Sequence, residues 1–508
     1  MPPPGRRPSP QLPGWCVLVA LLLLASACSG GDPVASDVAG KADRGADDVQ
    51  TTGRVPNPDR CPLGALPQAD APVEVTLWHG LVGLPASVLD GFAEQYNATQ
   101  DAVRVSVEGQ GDYEELFAKV AAASRANDDA TVPDIVLALD TETQFMVDSG
   151  MAVAADDCIA ADPEAGAHYE TLAPFVRSAF TVDGVLWPAS FGIAAPVIYF
   201  NRAHLQQAGL DPDAAPTDLD EVRAVAEAIK AVRPEGRPLA FRADSWWIEQ
   251  LSTAQQDELV DHANGRTGLA LDSEVDNDTV AEVVQWMDGM VDDGLMRVFA
   301  YSQTSDAAMS VLLPEPDSSS MLIDTSSAAT TLDVLLSGDL DGADLDIEGV
   351  DANPVDIGVG MLPGLGSTGS GQVAGNAWYL LDGPDPATIA AAWDFLQWVN
   401  ETPQQVTWTV QGSYLPVWQG AIDDPEIGRY FTESRPGRWL QVATSGLASI
   451  DPEFPGPLVG PYLQLREAIR GALERILMEG QPVDEELERA DEAVSSALDD
   501  YARDVDGG

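Results

Sequence analysis

The chain has 508 residues with 82 acidic and 26 basic side chains, a formal charge of −56. Such a surface repels polyanions, which excludes nucleic acid and anionic lipid headgroups as direct partners. Apolar residues at 45% and charged residues at 21% belong to a globular chain long enough for more than one core, not to a disordered one. Only three of the basic residues are lysines (Lys41, Lys119, Lys230), and four His and four Cys leave little material for a zinc enzyme.

The first segment reads as an address. Arg6 and Arg7 precede an apolar run at 15–27, short of the ~20 residues of a membrane-spanning helix but suited to a secretory signal. It ends in Leu24-Ala25-Ser26-Ala27-Cys28, which resembles the lipobox of bacterial lipoproteins and implies cleavage before Cys28 and lipidation of that residue. Residues 29–71 are rich in Gly, Asp, Ala and Pro without helical or strand period, the composition of a flexible tether. Cys16 leaves with the signal and Cys28 carries lipid, so Cys61 and Cys158 are expected to pair in an oxidising compartment and pin the tether to the body.

From Val73 the pattern turns α/β. Residues 73–78 alternate apolar and polar like a strand, 85–96 form an amphipathic helix, and 103–107 alternate again. Asp112 and Glu115 are placed to cap a helix that buries Leu116, Phe117, Val120 and Ala121. The run 133–139 is continuously apolar, as in a parallel strand covered on both faces. Strands and helices alternating at this spacing predict a parallel sheet of right-handed βαβ units with its ligand beyond the strand ends. Trp78, His79, Asp140 and Glu142 fall there.

Pro188 to Asn201, with Tyr199-Phe200-Asn201, leads into Ala208-Gly209 and then Pro216-Thr217-Asp218-Leu219. This resembles the crossover segment of the extracellular solute-binding proteins of ABC importers, in the large carbohydrate-binding family. Residues 320–327, 356–363, 391–399 and 412–417 resemble further segments of that family in the same order, so the likeness covers roughly 72–505. It implies a two-lobed α/β fold of the periplasmic-binding-protein type (type II), with the ligand in the cleft between lobes joined by crossover strands. Lobe one is expected at 72–192 with 374–411, and lobe two at 193–373 with 412–505. The glycines of 371–375 are expected at a hinge.

Trp78-His79-Gly80 and Gly111-Asp112-Tyr113 most resemble the branch that takes up glycerol-3-phosphate or glycerophosphodiesters. The resemblance implies ligand positions at Tyr113, Asp140, Trp247, Ser326, Gly375 and Tyr414, beside Trp78 and His79. That branch pairs phosphate with an Arg before the C-terminal helices, whereas 456–461 has none and Arg466 is already inside a helix. A buried phosphate is poorly compensated without a guanidinium fork, so a neutral sugar or polyol is favoured, with a glycerol phosphate ester as the alternative.

Gly364-Leu365-Gly366-Ser367-Thr368-Gly369 spells a dinucleotide fingerprint but runs on into an extended segment, without the helix N-terminus that would hold the phosphates. The expectation is a monomeric, lipid-anchored receptor on the outer face of a bacterial cell membrane, handing its ligand to permease subunits, with no catalysis, cofactor or metal. The rival from another class is a secreted carbohydrate hydrolase using Asp140.

Overall fold

The computed structural model describes residues 54–69, 72–126, 132–312, 317–337, 355–366, 368 and 370–507. The signal segment, Cys28 and most of the tether lie outside them.

Two sheets organise the chain. The first contains β1 (Val73–His79), β2 (Val103–Gly109), β3 (Ile135–Leu139) and the short β4 (Ala152–Val153). A separate hairpin of β5 (Thr181–Val182) and β6 (Val185–Leu186) follows, and then β7 (Ser190–Ala194). The second sheet holds β8 (Pro196–Asn201), β9 (Leu239–Arg242), β10 (Met296–Phe299), β11 (Met321–Thr325) and β12 (Ile357–Met361). The chain then returns to the first sheet as β13 (Ala374–Leu381).

The first sheet runs β2-β1-β3-β13-β4, with β7 also on β13; the second runs β10-β9-β11-β8-β12. The expected parallel pairing holds for β2, β1 and β3, but β13 lies antiparallel to β3. Each sheet is therefore mixed, because a strand arriving from the other sheet inserts against the local βαβ direction. In β1 the odd positions Val73, Val75 and Leu77 are buried, and β3 buries Ile135 to Ala138 continuously.

Helices cover both sheets, and several start on side-chain caps. Asp112 Oδ1 accepts from Glu115 N at 2.9 Å before the Tyr113–Ala126 helix, and Asp218 Oδ1 accepts from Glu221 N at 2.8 Å before Leu219–Val232. One hydrophobic core fills the first lobe and continues onto one face of the second sheet, through Val197, Tyr199, Leu322 and Trp439. A second core, including Val222, Val284, Leu465 and Leu498, covers that sheet's other face.

Three connections join the lobes. At Ala195, between β7 and β8, the backbone N donates to Ser326 Oγ (3.0 Å) and the carbonyl accepts from Ser326 N (2.8 Å). Ahead of β13, Gln250 Oε1 accepts from Gly371 N (3.0 Å) and Gln372 N (3.2 Å), while its Nε2 donates to Gln372 O (3.0 Å). After the Thr402–Gly412 helix, Leu415 N donates to Ile193 O at 2.7 Å, and Trp418 forms a bridge with Leu172 in the first lobe. Cys61 and Cys158 form a disulfide, and next to it Asp157, fully buried, accepts from Arg54 and Asn57 N. No helix among the described residues is long and apolar enough to cross a membrane.

Candidate functional site

The carboxyl end of β3 meets the C-terminal helices of the second lobe across a narrow cleft. β3 ends at Leu139 and turns through Asp140–Glu142, a tight helical turn held by Thr143 Oγ1 donating to Asp140 O at 2.6 Å. β13 runs alongside and places Gly375 N within 3.2 Å of Asp140 Oδ1. Gly375 has φ +133°, and a Cβ there would sit 2.1 Å from Gly192 O, so only glycine lets β7 and β13 approach this closely. Gly80 serves the neighbouring element in the same way. A Cβ at that position would meet Tyr113 N at 2.7 Å, so its absence admits the N-terminus of the Tyr113–Ala126 helix to the end of β1.

Tyr113, Glu114, Phe117, Thr141 and Glu142 form the first-lobe wall. Opposite stand Asp244, Ser245 and Tyr301, with Tyr462, Arg466 and Arg470 from the helix Tyr462–Glu479. The space enclosed between them is about 50 Å³, room for a few waters. A sugar-sized ligand needs several hundred Å³, more than this space provides. Arg470 Nη1 lies 3.4 Å from Glu114 Oε1 across the cleft, and Tyr501 OH bonds to Asp148 of the first lobe.

Glu249 is the hub of the second-lobe wall. Fully buried, it accepts from Ser245 Oγ (2.9 Å), Gln372 Nε2 (3.3 Å), Tyr462 OH (3.1 Å), and Arg466 Nε and Nη2 (2.9 and 2.8 Å). The last two form a bidentate fork, which fixes the guanidinium plane. Burial disfavours the Arg466 cation, but Glu249 outweighs it and holds the pKa above its ordinary value. Beside it, Arg242 pairs with Asp244 at 2.7 Å, and the Tyr301 ring lies 4.9 Å from the Arg242 guanidinium and 4.2 Å from that of Arg470.

On the first-lobe side, burial pushes Asp140 up to about 6, opposed by the Arg466 charge. Burial, followed by repulsion from Asp140, pushes Glu142 up to about 8. The phenols of Tyr113 and Tyr414 adjoin each other and the Asn376 amide, and burial raises both.

Among the residues expected from the sequence, Tyr113, Asp140, Gly375 and Tyr414 converge at this end of the cleft. Ser326 sits at the first crossing, its hydroxyl engaged by Ala195 N. Three others are placed elsewhere. Trp78 directs its indole N–H to Glu108 Oε2 at 3.0 Å on the neighbouring strand. His79 is buried, accepts from Leu81 N at Nδ1 (3.0 Å), and has its pKa lowered chiefly by that burial. Trp247 is 1% exposed, donates to Arg242 O at 3.2 Å and packs at a tilt against the Trp246 ring in the second core.

The sequence offers no arginine at 456–461 and puts Arg466 inside a helix, and in the structure Arg466 and Arg470 both line the cleft. Arg466 lies in the first turns of its helix, on the face turned to the cleft. Tyr462, Arg466 and Arg470 recur every four residues, a spacing that stacks them on one helix face and was available as a signal. Glu249 carried no comparable signal, because its burial depends on the helix partner that reaches it from 217 residues away.

A larger groove of about 520 Å³ opens elsewhere, lined by Leu84, Val334, Tyr430 and Arg435 among others. Its ion pair, Asp333–Arg435 at 2.6 Å, is satisfied internally, and none of the sequence-expected residues line it. Among the described residues no group of three or more His, Cys, Asp or Glu is arranged to hold a metal ion.

The sequence pattern of a family described as bacterial extracellular solute-binding protein matches residues 91–432. The sn-glycerol-3-phosphate-binding periplasmic protein UgpB of Brucella abortus (strain 2308) is 24% identical over 385 residues, 73% of this chain and 80% of that one. Its namesake in Yersinia pestis is 24% identical over 421 residues, 80% and 88% of the two chains. Among solved structures, the cyclic alpha-maltosyl-1,6-maltose binding protein from Arthrobacter globiformis superposes with a TM-score of 0.64 at 20% identity, over 84% of this chain and 99% of that one. UgpB from Mycobacterium tuberculosis in complex with glycerophosphocholine gives 0.64 at 18% identity, over 85% and 99%. These structures share the two-lobed fold.

Proposed function

The chain belongs to the bacterial extracellular solute-binding proteins, and on that footing we propose that it is the capturing component of an ABC importer. Tethered to the outer face of the membrane through a lipid on Cys28, it closes its lobes on a sugar or polyol and presents the closed complex to permease subunits. The lobes divide at the crossings near Ala195, near Gly371 and beyond Trp418, and the ligand set centres on Tyr113, Asp140, Ser326, Gly375 and Tyr414. No bond of the ligand is made or broken.

The observation that carries this reading is the cleft, where Tyr113 and Glu142 of one lobe face Tyr462 and Arg466 of the other. Such a site gains its affinity when both walls meet the ligand at once, which couples binding to closure. A second reading, a glycerol phosphate ester, is favoured by the names of the relatives and by the presence of Arg466 and Arg470. Against it stands Glu249, which occupies the Arg466 fork and neutralises its charge, so a phosphate dianion would have to displace a buried carboxylate.

The test is a thermal-shift and calorimetric screen of the secreted chain against neutral oligosaccharides, polyols, glycerol-3-phosphate and glycerophosphodiesters. A ligand at ~100 times its dissociation constant stabilises by about 2.7 kcal/mol, a readily measured rise in Tm. Stoichiometric binding of a neutral sugar, recovered unchanged, supports the proposal. Turnover of a glycoside that is lost in Asp140→Asn moves the protein to the hydrolases, and a response to phosphate esters alone selects the second reading.

A further inference from the structure

Arg466 and Arg470 line the cleft, Arg242 pairs with the lining residue Asp244, and each of the three has its own carboxylate. Arg466 forks onto Glu249, Arg242 pairs with Asp244 at 2.7 Å, and Arg470 faces Glu114 at 3.4 Å. Two carboxylates are left over. Asp140 has some compensation, from Gly375 N at 3.2 Å and from the nearby charge of Arg466. Glu142 lines the cavity, and no described Arg, Lys or His forms an ion pair with it. The wall around it is aromatic: Tyr113 and Phe117 on its own lobe, Tyr301 and Tyr462 opposite.

We infer that the cleft takes a hydroxylated ligand bearing a cationic nitrogen, a protonated amine or a quaternary ammonium, and that Glu142 is the residue that meets this charge. The inference rests on the capture reading and narrows its ligand class. The chemistry is that of charge balance in a closing site. When the lobes shut, a lone carboxylate is stripped of water at high cost unless a cation accompanies it, and ring faces receive the same cation favourably. A neutral sugar offers Glu142 hydroxyl donors but no countercharge, which favours uptake of a proton, and a phosphate adds to the excess negative charge.

Of the groups facing Glu142, the Arg466 charge and a backbone hydrogen bond at Leu139 favour its ionised form, and burial together with Asp140 outweighs them. Asp140 on its own turn repels its charge, and the buried phenols of Tyr113 and Tyr379 carry none to balance it. From the other lobe come Asp244, Tyr301, Tyr462, Arg466 and Arg470, and both arginines of this wall already face carboxylates of their own, Glu249 and Glu114. Burial keeps Glu142 at about 8 while the cleft is shut around nothing charged. A complex with a cation therefore carries up to about one proton fewer than a complex with a neutral ligand at pH values between the ordinary carboxylate range and that value.

The experiment is titration calorimetry of the secreted chain with matched pairs, in buffers of different ionisation heat. One pair is diglucosamine against cellobiose; the other is glycerophosphocholine against glycerophosphoglycerol, which separates a sugar-borne from a phosphodiester-borne cation. The cationic member of at least one pair is expected to bind about tenfold tighter or more at pH 7. In the quaternary pair, whose charge does not titrate, that preference should grow with pH up to about 8, with a difference of up to about one proton between the two complexes. Glu142→Gln, checked for an intact melting transition, should collapse the ratio. The proton count on the unaltered protein needs no variant. Equal or tighter binding of the neutral members, or a ratio that survives Glu142→Gln, overturns the inference and leaves the capture reading standing. No binding by any of the four also overturns the inference, and the wider screen of sugars and polyols then decides the capture reading separately.

Discussion

At the residue scale, the cleft is built around charges that have been paired inside the protein before any ligand arrives. Glu249 and Arg466 are the clearest instance: the carboxylate is fully buried and the guanidinium side chain is 20% exposed. Removing one partner leaves the other charge buried and alone, which costs more than the pair contributes. Glu249→Gln is therefore expected to lower the unfolding free energy by about 3–5 kcal/mol in urea titrations, whereas the double replacement Glu249→Leu with Arg466→Met should recover most of it.

Asp140 and Glu142 give a pH signature of opposite sign to that of an ordinary salt bridge. Both pKa values are raised in the closed cleft, to about 6 and about 8, so the folded form binds protons more tightly than the unfolded chain. Their contribution is fully present below the ordinary carboxylate values and is lost as pH rises through about 6 and then about 8. Thermal melts of the ligand-free protein should show this decline between pH 5 and 8. The slope should be shallower in Glu142→Gln, and an identical slope in the two proteins would contradict the assignment.

At the element scale, the crossings decide where the lobes pivot. Ser326 and Ala195 exchange two hydrogen bonds at the first crossing, and Gln250 holds Gly371 and Gln372 at the second. A Cβ on Gly371 would come within 2.3 Å of Ala254 N, so a close backbone approach, not freedom to bend, explains that glycine. The disulfide works on a different element, fastening the start of the folded body to the Ala155–Ala161 helix across 97 residues of sequence. Closing a loop of that length constrains the unfolded chain, and the double variant Cys61→Ser with Cys158→Ser is expected to lose about 2–5 kcal/mol of stability. Its lobes and cleft should survive, so ligand affinity measured well below the new Tm should change little.

At the scale of the whole molecule, a formal charge of −56 sets the solution behaviour. Like charges spread over one surface repel one another and work against the compact state, and added salt screens them over about 10 Å at 0.1 M. Tm is expected to rise as sodium chloride goes from 0.01 to 0.5 M, and a flat or falling response would mean that local pairs such as Arg470–Glu114 outweigh the general repulsion. That cross-lobe pair is partly exposed, so its own share in holding the lobes together is modest.

The alternating strands and helices follow from short-range periodicity in the sequence by itself, and the two-lobed architecture from the resemblance of several short segments, in order, to a known family. That resemblance also placed Tyr113, Asp140, Gly375 and Tyr414 at one end of the cleft. Only the tertiary structure decided which way the large side chains turn. Trp78 and Trp247 could face ligand or core as far as strand and helix periodicity goes, and the packing of neighbouring elements sent them to Glu108 and to the second core. The charge of the cleft was likewise invisible along the chain, because Arg466 meets Glu249, and Arg470 meets Glu114, across 217 and 356 residues. Whether a carboxylate is paired or left facing the ligand depends on contacts between distant segments, and those exist only once both lobes have folded.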